Sequence, residues 1–266
     1  MTTPKRLRTL ARSVLTVTLG LLVGVTLLAQ RGGYQGGYNS YSGNSKYDGK
    51  FTFVRVSYTE NGFGRGAPMW SHDYPKGEEH FMKIMNALTL VPLHVEEHNI
   101  MSLGDPEIFK FPVIYMCEPG TWNMSDAEAL SLRAFLQKGG FMIIDDMGSA
   151  ASRSRRGDQW PNFEFQMSRV FPTGRWEDIP ADHPIFHSFY DIWKPSDIPQ
   201  YYDTGQPMFR GLYEDNDHSK RLMVFVNYNT DISEFWEWSD TGIKPMDESN
   251  EAYKLGVNEF MYGIIH

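Results

Sequence analysis

Short apolar runs alternate with segments whose apolar residues recur at helical spacing along residues 50–266. The runs are rich in aliphatic, β-branched and aromatic residues, which is typical of strands. The predicted strands cover residues 51–58, 93–95, 113–116, 141–144 and 222–226. Because predicted helices separate them, the pattern predicts an α/β fold. We expect a three-layer, doubly wound and mainly parallel sheet with helices on both faces.

The clearest unit is a predicted helix that leads into a buried strand. Ser125 and Glu128 form a capping-box pattern at the start of the helix, and two glycines end it. The strand at 141–144 is continuously apolar and ends at Asp145 and Asp146. An open parallel sheet keeps its binding crevice at the carboxyl ends of its strands, so we expect a crevice at this turn. Since successive strand residues point to opposite faces, only one of the two aspartates should face the crevice.

Polar residues near the ends of other predicted strands should meet at the same edge of the sheet. The predicted ligand-binding crevice contains Arg55, His72, Asp73, Glu118, Asp145, Asp146, His183, Asn227, Asn229 and Asp231. Carboxylates and imidazoles are ligands for divalent metals, and a bound metal can activate water. The same residue types also form turns, caps and loop ion pairs, so the sequence assigns no metal ligand, cofactor or catalytic residue.

Two further groups have both a binding and a structural interpretation. Three arginines could bind an anionic group or form a solvated loop, and three tryptophans could stack on a sugar or belong to the core. These residues are Arg153, Arg155 and Arg156, and Trp193, Trp236 and Trp238.

The first fifty residues differ in character from the rest of the chain. Basic residues precede an apolar run at 14–29, which is the pattern of a secretory signal peptide or an uncleaved signal anchor. We therefore expect residues 1–29 to direct export, with residues 13–29 as a possible membrane anchor. Residues 30–49 are rich in Gly, Tyr and Ser and predict a flexible linker. Residues 50–266 then form one domain outside the cytoplasm, in the periplasm or secreted.

Composition and charge exclude some partners and chemistries. The formal net charge of -8 at neutral pH gives no basic surface for nucleic acid. Cys117 is the only cysteine, so no intrachain disulfide can form. The neighbouring carboxylate of Glu118 would raise the pKa of the Cys117 thiol, which disfavours a nucleophilic role. No G-x-S-x-G elbow is present, so serine hydrolase chemistry lacks its signature.

Several motifs together resemble a known bacterial family. They are FTFVRV, WSHDYP, FPVIYM, LQKGGFMIIDD, DHPIF, NYNTD, FWEW and LGVNEFMYGIIH, and they span nearly all of the domain. The sequence resembles the family of domains of unknown function numbered 4159, which is distantly similar to class I glutamine amidotransferases and to the ThuA group. This resemblance implies a flavodoxin-like, amidotransferase-like sheet and an envelope location. It transfers no catalytic residue, because the activity of the family is not established.

The chain departs from the wider amidotransferase group at the catalytic elbow. An amidotransferase needs a cysteine on the turn after the central strand, whereas the equivalent turn here carries Asp145 and Asp146. We therefore expect a non-catalytic envelope domain that binds a polar small molecule, a glycan or a partner protein. One alternative is a metal-dependent hydrolase that uses Asp145, Asp146 and His183. Another is a structural subunit of a membrane-associated complex, with membrane contact only through the N-terminal segment.

Overall fold

A seven-stranded sheet forms the centre of the fold in this computed structural model. The structure describes residues 43–61, 67–150, 157–202 and 205–266. The predicted export segment, residues 30–42 of the predicted linker, and Arg153, Arg155 and Arg156 lie outside the described residues.

The sheet combines five parallel strands with two antiparallel strands at one edge. The strands are β1 (Phe51–Ser57), β2 (Thr59–Glu60), β3 (Leu93–Ser102), β4 (Val113–Cys117), β5 (Trp122–Asn123), β6 (Phe141–Met147), β7 (Trp176–Asp178), β8 (Met208–Tyr213) and β9 (Leu222–Tyr228). The order across the main sheet is β3-β1-β4-β6-β9-β8-β7, and β2 pairs with β5 in a separate antiparallel ribbon. Strands β3, β1, β4, β6 and β9 are parallel, whereas β8 pairs antiparallel with β9, and β7 pairs antiparallel with β8.

Helices cover both faces of the sheet. They are α1 (Lys76–Leu88), α2 (Asp126–Gln137), α3 (Trp160–Val170), α4 (Ile232–Glu237) and α5 (Met246–Ile265). Buried residues of α1, α4 and α5 pack in one hydrophobic core, and those of α2 and α3 pack in the other. This arrangement confirms the predicted three-layer α/β fold with a mainly parallel sheet, while the more specific flavodoxin-like class stays a prediction.

Side chains alternate between the two cores along β4 and along the apolar parts of β1 and β6. Phe53, Tyr115 and Ile143 lie in the core with α1, α4 and α5. Their sequence neighbours lie in the core with α2 and α3. Because side chains alternate with a period of two residues, the position of a residue at a strand end determines the face of the sheet to which its side chain points.

The predicted helix and strand at the centre of the chain are confirmed in detail. The Ser125 hydroxyl accepts from the Glu128 N–H, and the Glu128 carboxylate accepts from the Ser125 N–H, which completes the capping box. Gly139 adopts a left-handed φ of 109° after the helix. At Gly140 a Cβ would lie 2.3 Å from the Phe135 ring, so a larger residue cannot fit there without displacing that ring.

Strand β3 is longer than the three residues predicted, and it forms the edge of the sheet. The Asn44 side chain donates to the Ile100 carbonyl at 2.9 Å and accepts from the Ile100 N–H at 2.8 Å. A side-chain amide here satisfies the backbone groups that an edge strand leaves unpaired. The last residues of the predicted linker thus contact β3. Within the described ranges, no helix combines the length and apolar character needed to cross a membrane.

Candidate functional site

The order of the parallel strands reverses between β1 and β4. From β1 the chain proceeds to β3 on one side and then returns to β4 on the other side. In open α/β sheets, ligands bind at the carboxyl ends of the strands where such a reversal opens a crevice. The loops that follow β1, β4, β6 and β9 build this carboxyl edge.

Three polar residues end the row of apolar side chains that faces α1 and α4. Arg55, Cys117 and Asp145 follow Phe53, Tyr115 and Ile143 at intervals of two residues, so they point to the same face. The Arg55 guanidinium donates to the Cys117 sulfur at 2.9 Å and to the Trp70 carbonyl at 2.9 Å. A buried polar layer therefore lies directly below the crevice.

Asp145 is held inside the fold by three donors. Its carboxylate accepts from the Tyr115 hydroxyl at 2.8 Å, from the Ile232 N–H at 3.2 Å and from the Ser233 N–H at 3.0 Å. Ile232 and Ser233 open helix α4, and their N–H groups have no partner within the helix itself. Asp145 thus connects β6 to α4, which is a structural role.

Asp146 leaves the strand in a different direction. Its φ of 51° is left-handed, and the register between β6 and β9 shifts between Ile144 and Met147. This bulge turns the Asp146 carboxylate towards the loops above the sheet, where the Tyr202 hydroxyl donates to it and His72 Nδ1 lies 3.7 Å away. Of the two aspartates, only Asp146 contacts the loops above the sheet.

His72 and Glu118 complete a mixed group with Asp146. His72 Nδ1 lies 3.2 Å from Glu118 Oε1, and the Gln159 side-chain amide donates to Glu118 Oε2 at 2.9 Å. The side chain of His72 is 15% exposed, whereas those of Glu118 and Asp146 are buried. One ligand atom from each of the three residues lies within 4.8 Å of the other two.

A second group of carboxylates shares Asp146. Asp73, Asp146 and Asp231 also have one oxygen each within 4.8 Å of the others. The Ser233 hydroxyl donates to Asp73 at 2.7 Å and contacts Asp231 at 3.1 Å. Asp231 is the N-cap of α4 and accepts from the Glu234 N–H at 2.9 Å. Together, the two groups bring His72 close to four carboxylates at the carboxyl edge of the sheet, namely Asp73, Glu118, Asp146 and Asp231.

Unusual backbone conformations concentrate in these loops. Asp73, Glu118, Asp146 and Asn229 have φ values between 51° and 61°. Glu118 and Asn229 directly follow β4 and β9, Asp146 lies at the bulge near the end of β6, and Asp73 lies in the segment before α1. Left-handed conformations of residues other than glycine cost free energy, and they are typical of positions where function constrains the backbone.

Burial raises the pKa values of these carboxyl groups. It raises the pKa of Asp73 to about 6, with a further contribution from Glu234. Burial is also the main cause that raises the pKa of Asp145, and it raises the pKa values of Asp146 and Asp231 well above their usual range. The negative charge of the cluster is therefore unfavourable in the protein alone, and a nearby cation would relieve it.

Cys117 lies at this edge but has the environment of an inert thiol. It is fully buried, and burial raises its pKa to about 12 despite the nearby Arg55 guanidinium. The reactive form of cysteine is the thiolate, so this side chain is protonated and unreactive at neutral pH.

The residues present fit a divalent cation. A histidine nitrogen and carboxylate oxygens are the ligands that zinc and other transition metals prefer, and carboxylates also suit calcium and magnesium. His72, Glu118 and Asp146 could bind one ion. Asp73 and Asp231 lie close enough to supply further ligands or to hold bound water.

Of three further predicted crevice residues, His183, Asn227 and Asn229, only Asn229 lies at the carboxyl edge. His183 packs against Tyr213 and Tyr262, beside the first residue of β9, so the structure does not bring it to the carboxyl edge. Asn227 is buried beside Glu259 of α5. Asn229 lies at the edge, where its side chain accepts from the Ser149 hydroxyl at 2.7 Å and donates to the Gln206 carbonyl at 3.1 Å.

Other residues at the site were not predicted from the sequence. Tyr202 and Gln159 contact Asp146 and Glu118 from segments far away along the chain. Glu234 and Glu237 of α4 lie close to Asp73, and burial together with Asp73 raises the pKa of Glu237 to about 8. No local motif marks these residues, because their role depends on loops that the sheet brings together.

Comparison with protein-family models identifies a family for most of the chain. The model of the family described as a domain of unknown function (DUF4159) matches residues 52–264. The match covers most of the chain and includes every strand and helix around the site. No curated protein matches the chain.

Proposed function

Since the chain belongs to the DUF4159 family, whose description names no activity, we propose from its site that it is a divalent-cation-dependent binding domain for a polar ligand. In this proposal the cation lies between His72, Glu118 and Asp146 at the carboxyl edge of the sheet. The ligand is a small molecule or glycan that offers oxygen atoms to the cation.

The observation that carries this proposal is the convergence of an imidazole and several buried carboxylates. Ligand atoms of His72, Glu118 and Asp146 lie within 4.8 Å of one another, and Asp146 also belongs to the second carboxylate group. Burying several like charges is unfavourable unless a counter-charge is present. Burial raises the pKa values of Asp146 and Asp231, and a nearby cation would lower these pKa values and favour the charged carboxylates.

The chemistry of the site suggests how a ligand would bind. A bound cation would supply a Lewis acid that attracts hydroxyl, carboxylate or phosphate oxygens. The His72 side chain is 15% exposed, so this one of the three proposed ligands is in contact with solvent. Tyr202 and Gln159 fix the orientation of Asp146 and Glu118, as the partners of metal ligands commonly do.

A second candidate function is metal-dependent hydrolysis. The observation that favours it is the number and exposure of the ligands: three protein ligands and an open side are typical of catalytic metal sites, whereas structural sites are usually closed. The remaining carboxylates, Asp73 and Asp231, would then hold or polarise a water molecule. His183 has no part in this version, because it lies at the other end of the sheet.

Metal analysis of the purified protein tests the cation. We expect the wild-type chain to retain or rebind one class of divalent metal after chelation, and to be stabilised by it in thermal unfolding. His72→Ala and Asp146→Asn should remove both signals. His94→Ala is a matched control, because His94 also contacts two carboxylates but lies on the surface strand β3. Equal metal binding by wild type and His72→Ala would refute the proposal.

A second experiment distinguishes a ligand-binding function from a hydrolytic one. The metal-loaded protein would be screened by calorimetry against acidic sugars and organic phosphates, and the same compounds would be followed for product formation. Binding without turnover supports the binding domain, and turnover that depends on Asp146 supports the hydrolase. Absence of both would favour a structural subunit.

We also propose that the domain functions outside the cytoplasm. Support comes from the basic and apolar pattern of residues 1–29. A fusion to a reporter that is active only after export should be active, and deletion of residues 1–29 should abolish this activity. Reporter activity without those residues would contradict the proposed location.

A further inference from the structure

A groove of about 500 Å³ lies between α1, α5 and the loop at 190–197. None of the residues that line it belongs to the carboxyl-edge site. Its apolar wall consists of Ile84, Leu88, Tyr190 and Tyr253. The groove is therefore a separate concave surface with its own chemistry.

The rim of this groove is acidic. Asp197, Asp247, Glu248 and Glu251 line it, together with one basic residue, Lys254. Lys254 is paired with Glu251 at 2.6 Å, so it does not neutralise the other three carboxylates. Asp247 and Glu248 lie in the first turn of α5, where carboxylates stabilise a helix. Stabilisation of the helix does not account for Asp197, which comes from another segment and lines the same groove.

Exposed apolar side chains continue the groove wall onto the surface. Leu88 and Leu90, at and just beyond the end of α1, are exposed, and so is Met246, the first residue of α5. Met246 has 80% of its surface exposed and directly precedes two rim carboxylates. Apolar and acidic groups thus alternate over one surface, which is the complement of a chain segment that is both apolar and basic.

The groove is preformed, because its loop is fixed to α5. The buried Asn258 side chain accepts from the Phe189 N–H at 3.0 Å and from the Tyr190 N–H at 2.7 Å, and it donates to the Tyr190 carbonyl at 2.8 Å. These three hydrogen bonds hold the ring of Tyr190 at the groove wall. A rigid wall lowers the entropic cost of binding a partner.

We propose that this groove binds a basic amphipathic peptide segment of a partner protein. Leucine-like side chains of the segment would lie against Ile84, Leu88 and Tyr253. Its lysine or arginine side chains would pair with Asp197, Asp247 and Glu248. Helical segments that place apolar anchors into a groove and charges at its rim are a common mode of peptide recognition.

The test uses the full chain and a labelled synthetic helical peptide with Leu at i, i+3, i+4 and i+7 and Lys at the other positions, followed by fluorescence anisotropy. The double variant Asp247→Lys with Glu248→Lys should weaken binding about tenfold or more, which corresponds to about 1.4 kcal/mol. Asp247→Asn with Glu248→Gln should weaken it less. Leu88→Gln, which changes no charge, should also weaken binding.

A matched control separates this groove from general attraction to an acidic protein. Glu107→Lys with Glu164→Lys makes the same change in net charge at exposed positions outside the groove. These variants should bind the peptide within about twofold of wild type. Equal weakening by the control pair, or unchanged binding in Leu88→Gln, would overturn the proposal. Self-association that light scattering detects and that Leu88→Gln abolishes would instead assign the groove to a second copy of the chain.

Discussion

Replacing Asp146 with asparagine should remove metal binding without reducing the stability of the fold. The matched comparison is Asp145→Asn. Asp146 is turned out of β6 towards His72, Glu118 and Asp231, and burial together with neighbouring carboxylates raises its pKa well above the usual range. Asparagine keeps an acceptor for the Tyr202 hydroxyl but removes the charge. We therefore expect Asp146→Asn to leave the stability of the metal-free protein unchanged or to raise it.

The expected size of the metal effect follows from mass action. A ligand at a hundred times its dissociation constant stabilises the folded state by about 2.7 kcal/mol. For a domain of this size, that corresponds to an increase in melting temperature of roughly 5–10 °C. Wild type should show this increase with the preferred metal, and Asp146→Asn should show none.

Asp145→Asn should give the opposite result. Asp145 accepts three hydrogen bonds, and an asparagine amide cannot accept all of them, so a buried donor would lose its partner. The cost is about 1–3 kcal/mol, or roughly 2–10 °C in melting temperature. The metal-induced increase should persist in this variant. Destabilisation by both substitutions, with an unchanged metal response in Asp146→Asn, would refute the assignment of Asp146 as a ligand.

Three further predictions concern the buried residues around the site. Burial raises the pKa of Glu259 well above 4.5, so its contribution to stability is present at low pH and is lost as pH rises through the raised pKa. Glu259→Gln should remove this loss. When unfolding midpoints are measured from pH 4 to about 9, the variant should therefore become more stable relative to wild type as the pH rises. Cys117 should resist alkylation in the native protein and react after unfolding, as mass spectrometry would show; rapid native labelling would contradict the buried thiol. Gly256→Ala should destabilise the fold by about 1–3 kcal/mol, because a Cβ would lie 2.3 Å from the Trp236 ring and 2.9 Å from Phe81. Chemical denaturation would measure this loss, and a midpoint equal to that of wild type would contradict the packing.

Local sequence patterns were sufficient for the central part of the fold. The capping box at Ser125 and the apolar run before Asp145 depend on neighbours within a few residues, and both appear in the structure as predicted. The antiparallel strands β7 and β8 were not predicted. Gly211 interrupts β8, and β7 is only three residues long and partly exposed, so neither has a clear apolar pattern. The pairing of β8 with β9 and of β7 with β8 is a tertiary effect.

The composition of the site was only partly predictable. The rule that ligands bind at the carboxyl ends of parallel strands identified Glu118, directly after β4, Asp146, near the end of β6, and Asp73, in the segment between β2 and α1. The rule does not apply to His183, which lies in a long irregular segment between α3 and β8. Tyr202 comes from the same segment and does reach the site. Sequence alone cannot distinguish these two outcomes, since no periodicity fixes the path of such a segment.

The electrostatic balance of the interior explains why the site should need an ion from solution. Six acidic residues are buried among the described residues, namely Glu78, Glu118, Asp145, Asp146, Asp231 and Glu259, against the single buried base Arg55. Arg55 donates to Glu78 and also contacts Trp70 and Cys117, so most of its hydrogen-bonding capacity is used below the crevice. Asp145 is stabilised by backbone and hydroxyl donors rather than by a cation. Burial, together with neighbouring carboxylates, raises the pKa values of Asp146 and Asp231 well above their usual range. A divalent ion bound by His72, Glu118 and Asp146, as we propose, would favour the charged forms of these carboxyl groups. The same carboxylates that repel one another in the protein alone would then attract the ion.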